Sequence, residues 1–166
     1  MTRLSLWLLS LFFPFMAGAQ VSFGYFSYDQ VLRSMPEYEM VEQNLADLRA
    51  QYDAELKRAE DDFNKKYEEF LEGQKEFAPI ILQKRQSELQ ELMTRNIAFK
   101  AEAQRLLAQA TDDAYRPLRT KLQDAVTRIG EEEGYAFVLN TDGNTLPYIN
   151  PMMGTDITEK IKEALR

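Results

Sequence analysis

Between residues 41 and 70, apolar or small side chains return at Val41, Leu45, Leu48, Tyr52, Leu56, Ala59, Phe63, Tyr67 and Phe70, in alternating steps of three and four. Three such positions in every eleven residues is a period of about 3.67, close to the 3.6 of a straight α-helix and longer than a strict heptad. The intervening positions are charged, with Glu60, Asp61, Asp62, Lys65, Lys66, Glu68 and Glu69 crowding around the stripe. So narrow a stripe cannot wall a thick core; it calls for one neighbouring helix. That neighbour follows in the chain. Leu82, Leu89, Leu92, Phe99, Ala103, Leu106 and Ala110 form a second seam, with polar Arg85 and Asn96 at two of its positions. Ala114, Leu118, Leu122, Ala125 and Ile129 continue it. Gly73 marks the end of the first helix and Ala78-Pro79 the start of the second, because proline suits a first helical turn and biases its predecessor away from it. At 1.5 Å per residue the two rods span about 55 Å and about 80 Å. The pattern predicts a long antiparallel hairpin that protrudes, since nothing else in the chain is large enough to cover it.

The chain ends read differently. Val21, Phe23 and Tyr25 alternate with Ser22 and Gly24, which predicts a strand over 21–26, and 29–33 should make a helical turn. Ser34-Met35-Pro36-Glu37 has the form of a capping box opening the first long helix. Pro117, inside the second, should kink it near 115–118, where the arm would leave the body. Gly134 ends that helix, although Glu131-Glu132-Glu133 opposes the helix dipole there and the sequence offers no reason for it. Residues 135–139 predict a compact apolar strand, 140–144 a turn with an Asp-Gly signal, and 145–149 a second strand that Pro147 confines to an edge or a bulge. Asp156-Ile157-Thr158-Glu159 caps a last helix, with Ile157, Ile161, Ala164 and Leu165 on one face. The expected fold is α+β, mostly α: a helical hairpin arm over 37–133, turning near 73–79, inserted into a small β-rich body formed by 20–36 and 134–166. Three short strands and a small helix make a thin core, so self-association through the sheet is the natural remedy and the body is read as an oligomerisation module.

Residues 1–19, MTRLSLWLLSLFFPFMAGA, read as a signal peptide. Arg3 is a positive start, Leu4 to Met16 an apolar run too short to span a bilayer, and Ala17-Gly18-Ala19 a small-residue cleavage pattern. Cleavage after Ala19 removes Arg3 and leaves an exported, soluble and more acidic chain. The 166 residues hold 20 basic and 27 acidic side chains, a formal charge of -7, and neither His nor Cys. This excludes thiol nucleophiles, Cys/His metal sites and the usual neutral-pH proton shuttle. It also makes nucleic acid a poor partner. Adjacent carboxylates such as Asp61-Asp62 and Asp112-Asp113 point about 100° apart on a helix and do not converge on one ion. No phosphate loop, nucleophile elbow or H-E-x-x-H is present. No enzyme activity, cofactor or metal is expected.

Taken in order, these elements resemble the Skp/OmpH family of periplasmic chaperones over essentially the whole mature chain. The match is carried by FGYFSYDQVLRSMPEY near the start, APIILQKRQSELQEL after the hairpin turn, YRPL, and EEEGYAFVLNTDGNTLPYINPMMGTDITEKIKEAL at the end. The last block is the most specific, whereas the long helices alone could belong to any coiled coil. The resemblance implies a homotrimer whose three arms enclose a cavity. It also implies ATP-independent holding of unfolded outer-membrane β-barrel proteins in the periplasm, with transient membrane proximity but no transmembrane anchor. The alternative is a structural coiled-coil adaptor or spacer of the cell envelope. A prefoldin-type chaperone has similar arms but places its helices at the chain termini, the reverse of this order. Well-known members of the family are basic. Here residues 37–75 carry twelve acidic and six basic side chains, and 76–133 ten and nine. The best basic stripe, Lys84, Arg85, Arg95, Lys100 and Arg105, therefore reads as an ordinary solvated face, and no lipopolysaccharide site is carried over.

Within this frame, Phe63, Phe70, Phe77 and Phe99 are the client-contact candidates. Phe77 leads, because it falls in the turn, where a hairpin cannot easily bury it. Phe23, Tyr25, Phe137, Val138 and Leu139 are the candidates for the oligomer interface.

Overall fold

The computed structural model describes residues 21–144 and 146–166. The expected signal peptide, its cleavage point and Thr145 lie outside the described residues. The elements are β1 (Phe23–Phe26), α1 (Tyr28–Ser34), α2 (Tyr38–Gly73), α3 (Pro79–Glu132), β2 (Val138–Asn140), β3 (Gly154–Asp156) and α4 (Thr158–Ala164), with one tight 3-10 turn at Asp142–Asn144. Long helices fill the middle of the chain and a small sheet joins its two ends, the arrangement that the hydrophobic pattern predicts.

The two helices close against each other along the predicted stripe. In α2 the half-buried or buried positions from Val41 onward are Val41, Leu45, Leu48, Tyr52, Leu56, Ala59, Phe63, Phe70 and the terminal Gly73, while Tyr67 is 44% exposed. At the polar seam position of α3, the Asn96 side-chain amide donates to the Ala59 carbonyl at 2.9 Å, so the seam stays satisfied where it is not apolar. Proline stands in the first turn of α3 as expected, and α3 runs unbroken through Pro117. At the other end of α3, Gly134 takes φ +65, Tyr135 N–H bonds Gly130 C=O at 2.9 Å and Gly134 N–H bonds Glu131 C=O at 3.2 Å. This is the paired closure in which a left-handed glycine satisfies the last carbonyls.

The body is a three-stranded sheet in the order β2-β1-β3, with both pairs parallel; Gly24 stands opposite Val138 on one side and Thr155 on the other. Helices α1 and α4 and the C-terminal third of α3 cover one face. There Phe26, Val31, Met35, Leu118, Leu122, Ala125, Ile129, Ile157 and Ile161 form the core. The β2 end of the sheet is tied to the start of α1 by side chains. The Ser27 hydroxyl donates to Asp142 Oδ1 at 2.7 Å, Asp142 Oδ2 accepts from Asp29 N–H at 2.7 Å, and Asn140 Oδ1 accepts from Tyr28 N–H at 3.3 Å. A carboxylate at a helix N-terminus also meets the positive end of the helix dipole.

Three local expectations are corrected. The Ser34–Glu37 capping box does not form. Ser34 closes α1, its hydroxyl donating to Val31 C=O at 2.7 Å, and the Glu37 carboxylate pairs with Lys121 on α3. The apolar strand predicted over 135–139 is shorter and shifted to Val138–Asn140, although Ala136 N–H already donates to Ser22 C=O just before β1 and Phe137 C=O accepts from Gly24 N–H. The strand predicted over 145–149 is absent from the described part of that segment, and the third strand lies at Gly154–Asp156. The cause is topological. A parallel strand cannot return through a tight hairpin, so the chain uses 141–153 as a crossover to the far edge of β1, and Pro147 lacks the N–H that a ladder needs.

Leu122 is among the most completely buried side chains and Leu56 only half-buried in the seam. Leu122→Ala should therefore cost about 2–5 kcal/mol. Leu56→Ala should cost clearly less, and the two midpoints in urea unfolding check the order.

Candidate functional surfaces

Two surfaces of the molecule are apolar and uncovered: the distal arm and the outer face of the sheet. On the arm, the predicted phenylalanines are partly used by the hairpin itself. Phe63 stacks on Tyr67 with ring centres 6.0 Å apart, and Phe70 meets Phe77 at 6.4 Å. Phe77 is not splayed into solvent as its place in the turn suggests. Its ring folds down over Gly73, where an added Cβ would lie 2.5 Å from its Cζ, so a larger residue there would push the ring aside. Phe99 stays 37% exposed.

Sequence reasoning passed over further apolar groups. Met93 is 54% exposed and Ile97 59%, and Leu71, Ile80 and Ile81 are exposed near the tip. These residues fall off the three-and-four seam, and an off-seam aliphatic on a charged helix was a readable signal. They give the arm two unlike flanks. Along one, Leu56, Ala59, Phe63, Met93 and Ile97 line an open trough bordered by Glu60 and Lys100. Along the other, Glu55, Arg58, Asp62 and Arg95 surround Phe99.

Many cations of the arm are paired within their own helix, although carboxylates remain in excess. Lys57 pairs with Asp61 at 2.9 Å, Arg58 with Glu55 at 2.9 Å, Lys66 with Asp62 at 3.1 Å and Arg105 with Glu102 at 2.7 Å. Within the basic stripe, Lys84 and Arg85 both reach Glu88. Exposed pairs of this kind add little stability, but they leave few unpaired cations on the stripe to attract an anionic surface. At the body, Lys160 on α4 pairs with Glu133, which gives one member of the triple glutamate a partner.

The sheet's outer face is set by the pleat. Gly24 and Phe26 point inward, so Phe23 and Tyr25 point outward, and the register brings Leu139 beside Tyr25. Phe23 and Phe137 stack with centres 5.3 Å apart and planes 16° from parallel, yet Phe137 remains 47% exposed. No described helix covers this face, although Ile149 of the loop before β3 lies beside the Phe23 ring over Gly154. Tyr148 and Met152, on the loop before β3, are also exposed. Of the five residues expected at an interface, four share the open face. Val138 is the exception, since it packs inward against the subunit's own core.

Several carboxylates are held below their ordinary range by cationic neighbours: Glu37 by Lys121, Glu102 by Arg105, and Asp112 by Arg119 and then Arg116. Lysines such as Lys57 and Lys160 are raised by Asp61 and Glu133. A lowered carboxylate stabilises the fold above its unfolded value near 4 and loses that contribution as pH falls through the folded one; a raised lysine acts only at the alkaline end. With no histidine in the chain, the thermal midpoint should stay flat from about pH 5 to 8 and decline below about pH 4, followed by circular dichroism.

Comparison with known proteins is consistent across sequence and structure. Residues 22–165 match the family model described as outer membrane protein (OmpH-like). The chaperone protein Skp of Vibrio cholerae is 27% identical over 153 residues, covering 90% of this chain and 86% of its own. The crystal structure of an OmpH-like protein from Caulobacter crescentus superposes with a TM-score of 0.70 at 17% identity, over 87% of this chain and 83% of that one. At that identity the likeness bears on the fold alone.

Proposed function

Because the chain belongs to the OmpH-like outer membrane protein family, we propose that it is a chaperone of the bacterial envelope that holds unfolded outer-membrane β-barrel proteins without ATP. The observation that carries this reading is the open apolar trough of Leu56, Phe63, Met93 and Ile97 along an otherwise charged, projecting arm. A non-native barrel strand needs its apolar side chains shielded from other chains and requires no chemistry. Shallow contacts repeated along several arms provide that shielding at low affinity per contact, so the client can leave. Charged side chains bordering the trough lay their aliphatic stems along the client while their heads stay hydrated. Of the four phenylalanine candidates, Phe63 lines the trough and Phe99 is exposed on the opposite flank, which supports a part for both, whereas Phe70 and Phe77 meet each other at the tip.

The same reading places the protein in the periplasm, exported by the segment 1–19. Among the described residues no helix is long and apolar enough to cross a membrane. It also makes the body, 20–36 and 134–166, an oligomerisation module and the assembly a homotrimer. A partly exposed apolar face of Phe23, Tyr25, Phe137 and Leu139, with no helix over it, supports this, because apolar sheet faces are normally buried against another layer.

Two experiments test the proposal. The chain freed of residues 1–19 should suppress aggregation of a urea-diluted outer-membrane barrel without nucleotide, and Ile97→Glu should weaken that suppression at unchanged helicity and mass. A chain that ignores unfolded barrels and instead binds one folded envelope protein would be the spacer of the alternative reading. For the body, Leu139→Asp on the open face should lower the mass seen by sedimentation while the helical signal persists. Val138→Asp should instead lower stability, because it places a charge against the subunit's own core.

A further inference from the structure

Pro117 sits where the arm meets the body. On its body side Leu118, Leu122, Ala125 and Ile129 are sealed in the core, and beyond Tyr115, which still packs on that core, α3 runs out along α2. Proline has no N–H, so the carbonyl of Asp113, one turn back, loses its helical donor at this boundary. One turn further out, the Thr111 hydroxyl donates to Leu107 C=O at 2.8 Å, a side-chain bond of the sort that bends helices. The helical hydrogen-bond ladder is therefore one bond short where the arm begins.

Side chains bridge that segment. Arg119, beyond the proline, donates to Asp112 Oδ1 at 2.7 Å across seven residues, two full turns on one helix face. Arg116 adds bonds to Asp112 at 3.2 Å and Asp113 at 2.5 Å. The Arg119 guanidinium also lies 5.8 Å from the centre of the Tyr115 ring, and Tyr115 packs on Tyr38, the first residue of α2, at 6.1 Å. Next to it, Lys121 pairs with Glu37 at the start of α2. We propose that the Asp112–Arg119 pair is a brace across Pro117 that fixes the angle between arm and body, so that ionic strength tunes how far the arm swings. A network of two arginines on one carboxylate holds better than isolated pairs do, and because its members are solvent-exposed it is screened by salt. Asp112 is held below its ordinary range by these arginines, so the brace stays charged at neutral pH.

The chain has no cysteine, so Ser87→Cys on the arm and Glu163→Cys on α4 accept a dye pair without competition. Single-molecule energy transfer is read on labelled full-length mature subunits diluted into excess unlabelled chain, which leaves one pair per assembly. The parent should show a narrow distribution at low salt that shifts and broadens towards about 1 M salt, where the screening length falls to about 3 Å. Asp112→Asn should already show the broad distribution at low salt and respond no further. Arg58→Gln, which removes an exposed pair within α2, should behave as the parent, and circular dichroism should report equal helicity for all three. A parent indifferent to salt, or an Asp112→Asn variant indistinguishable from it, overturns the brace. Neither outcome bears on client holding, because the readout is the arm angle alone.

Discussion

The narrowness of the seam between α2 and α3 governs the molecule. One apolar row per helix can bury against one partner and no more, so the hairpin satisfies itself and cannot lie down on a body. Everything past Pro117 therefore projects, and its surface is free to carry either charge or exposed apolar groups. It carries both, on different flanks. Local ion pairs such as Lys57–Asp61 and Arg105–Glu102 keep the arm hydrated, and its excess of carboxylates leaves it acidic. Met93 and Ile97 sit outside the seam, where packing of the hairpin does not require them.

The body has the opposite difficulty. Its three strands are parallel and short, and helices cover only one side of them. Because a parallel sheet cannot be closed by tight hairpins, β1 reaches β2 only through the whole arm, and β2 reaches β3 only through the loop over 141–153. The arm is in this sense the crossover connection of a very small sheet. What remains is a sheet face bearing Phe23, Tyr25, Phe137 and Leu139, too apolar to suit water and too small to fold away. The hairpin seam is thus closed by the chain itself, whereas the sheet has helices on one face only, and it is on this contrast that the proposed self-association rests.

The arm was legible in the sequence because its information is local. A period of 3.67, a glycine stop and a proline start fix two helices without reference to anything distant, and Tyr67 and Phe99 are the apolar seam members left exposed. The ends were less legible because parallel pairing is not local. The apolar run from Tyr135 was recognisable as a strand, but the run of residues after the Asp-Gly turn resembled its hairpin partner, and only the topology shows that Gly154–Asp156 takes the place beside β1. Ser34-x-x-Glu37 satisfied the pattern of a capping box while belonging to the end of the preceding helix. Asp142 ties down the start of α1 from more than a hundred residues away, a contact no window of sequence contains. At the candidate surfaces, Phe137, Val138 and Leu139 look alike as a run of apolar residues, and only the register with β1 turns Val138 inward; the exposed aliphatics of the arm lie off the seam.

Small-angle scattering of the mature chain, with its mass measured on the same sample, tests the central claim most directly. A projecting hairpin on a self-associating base should give a mass of several subunits and a maximum dimension no smaller than the roughly 80 Å of α3 alone. A single subunit that keeps a radius of gyration near 15 Å, the value for a compact chain of this length, would contradict it.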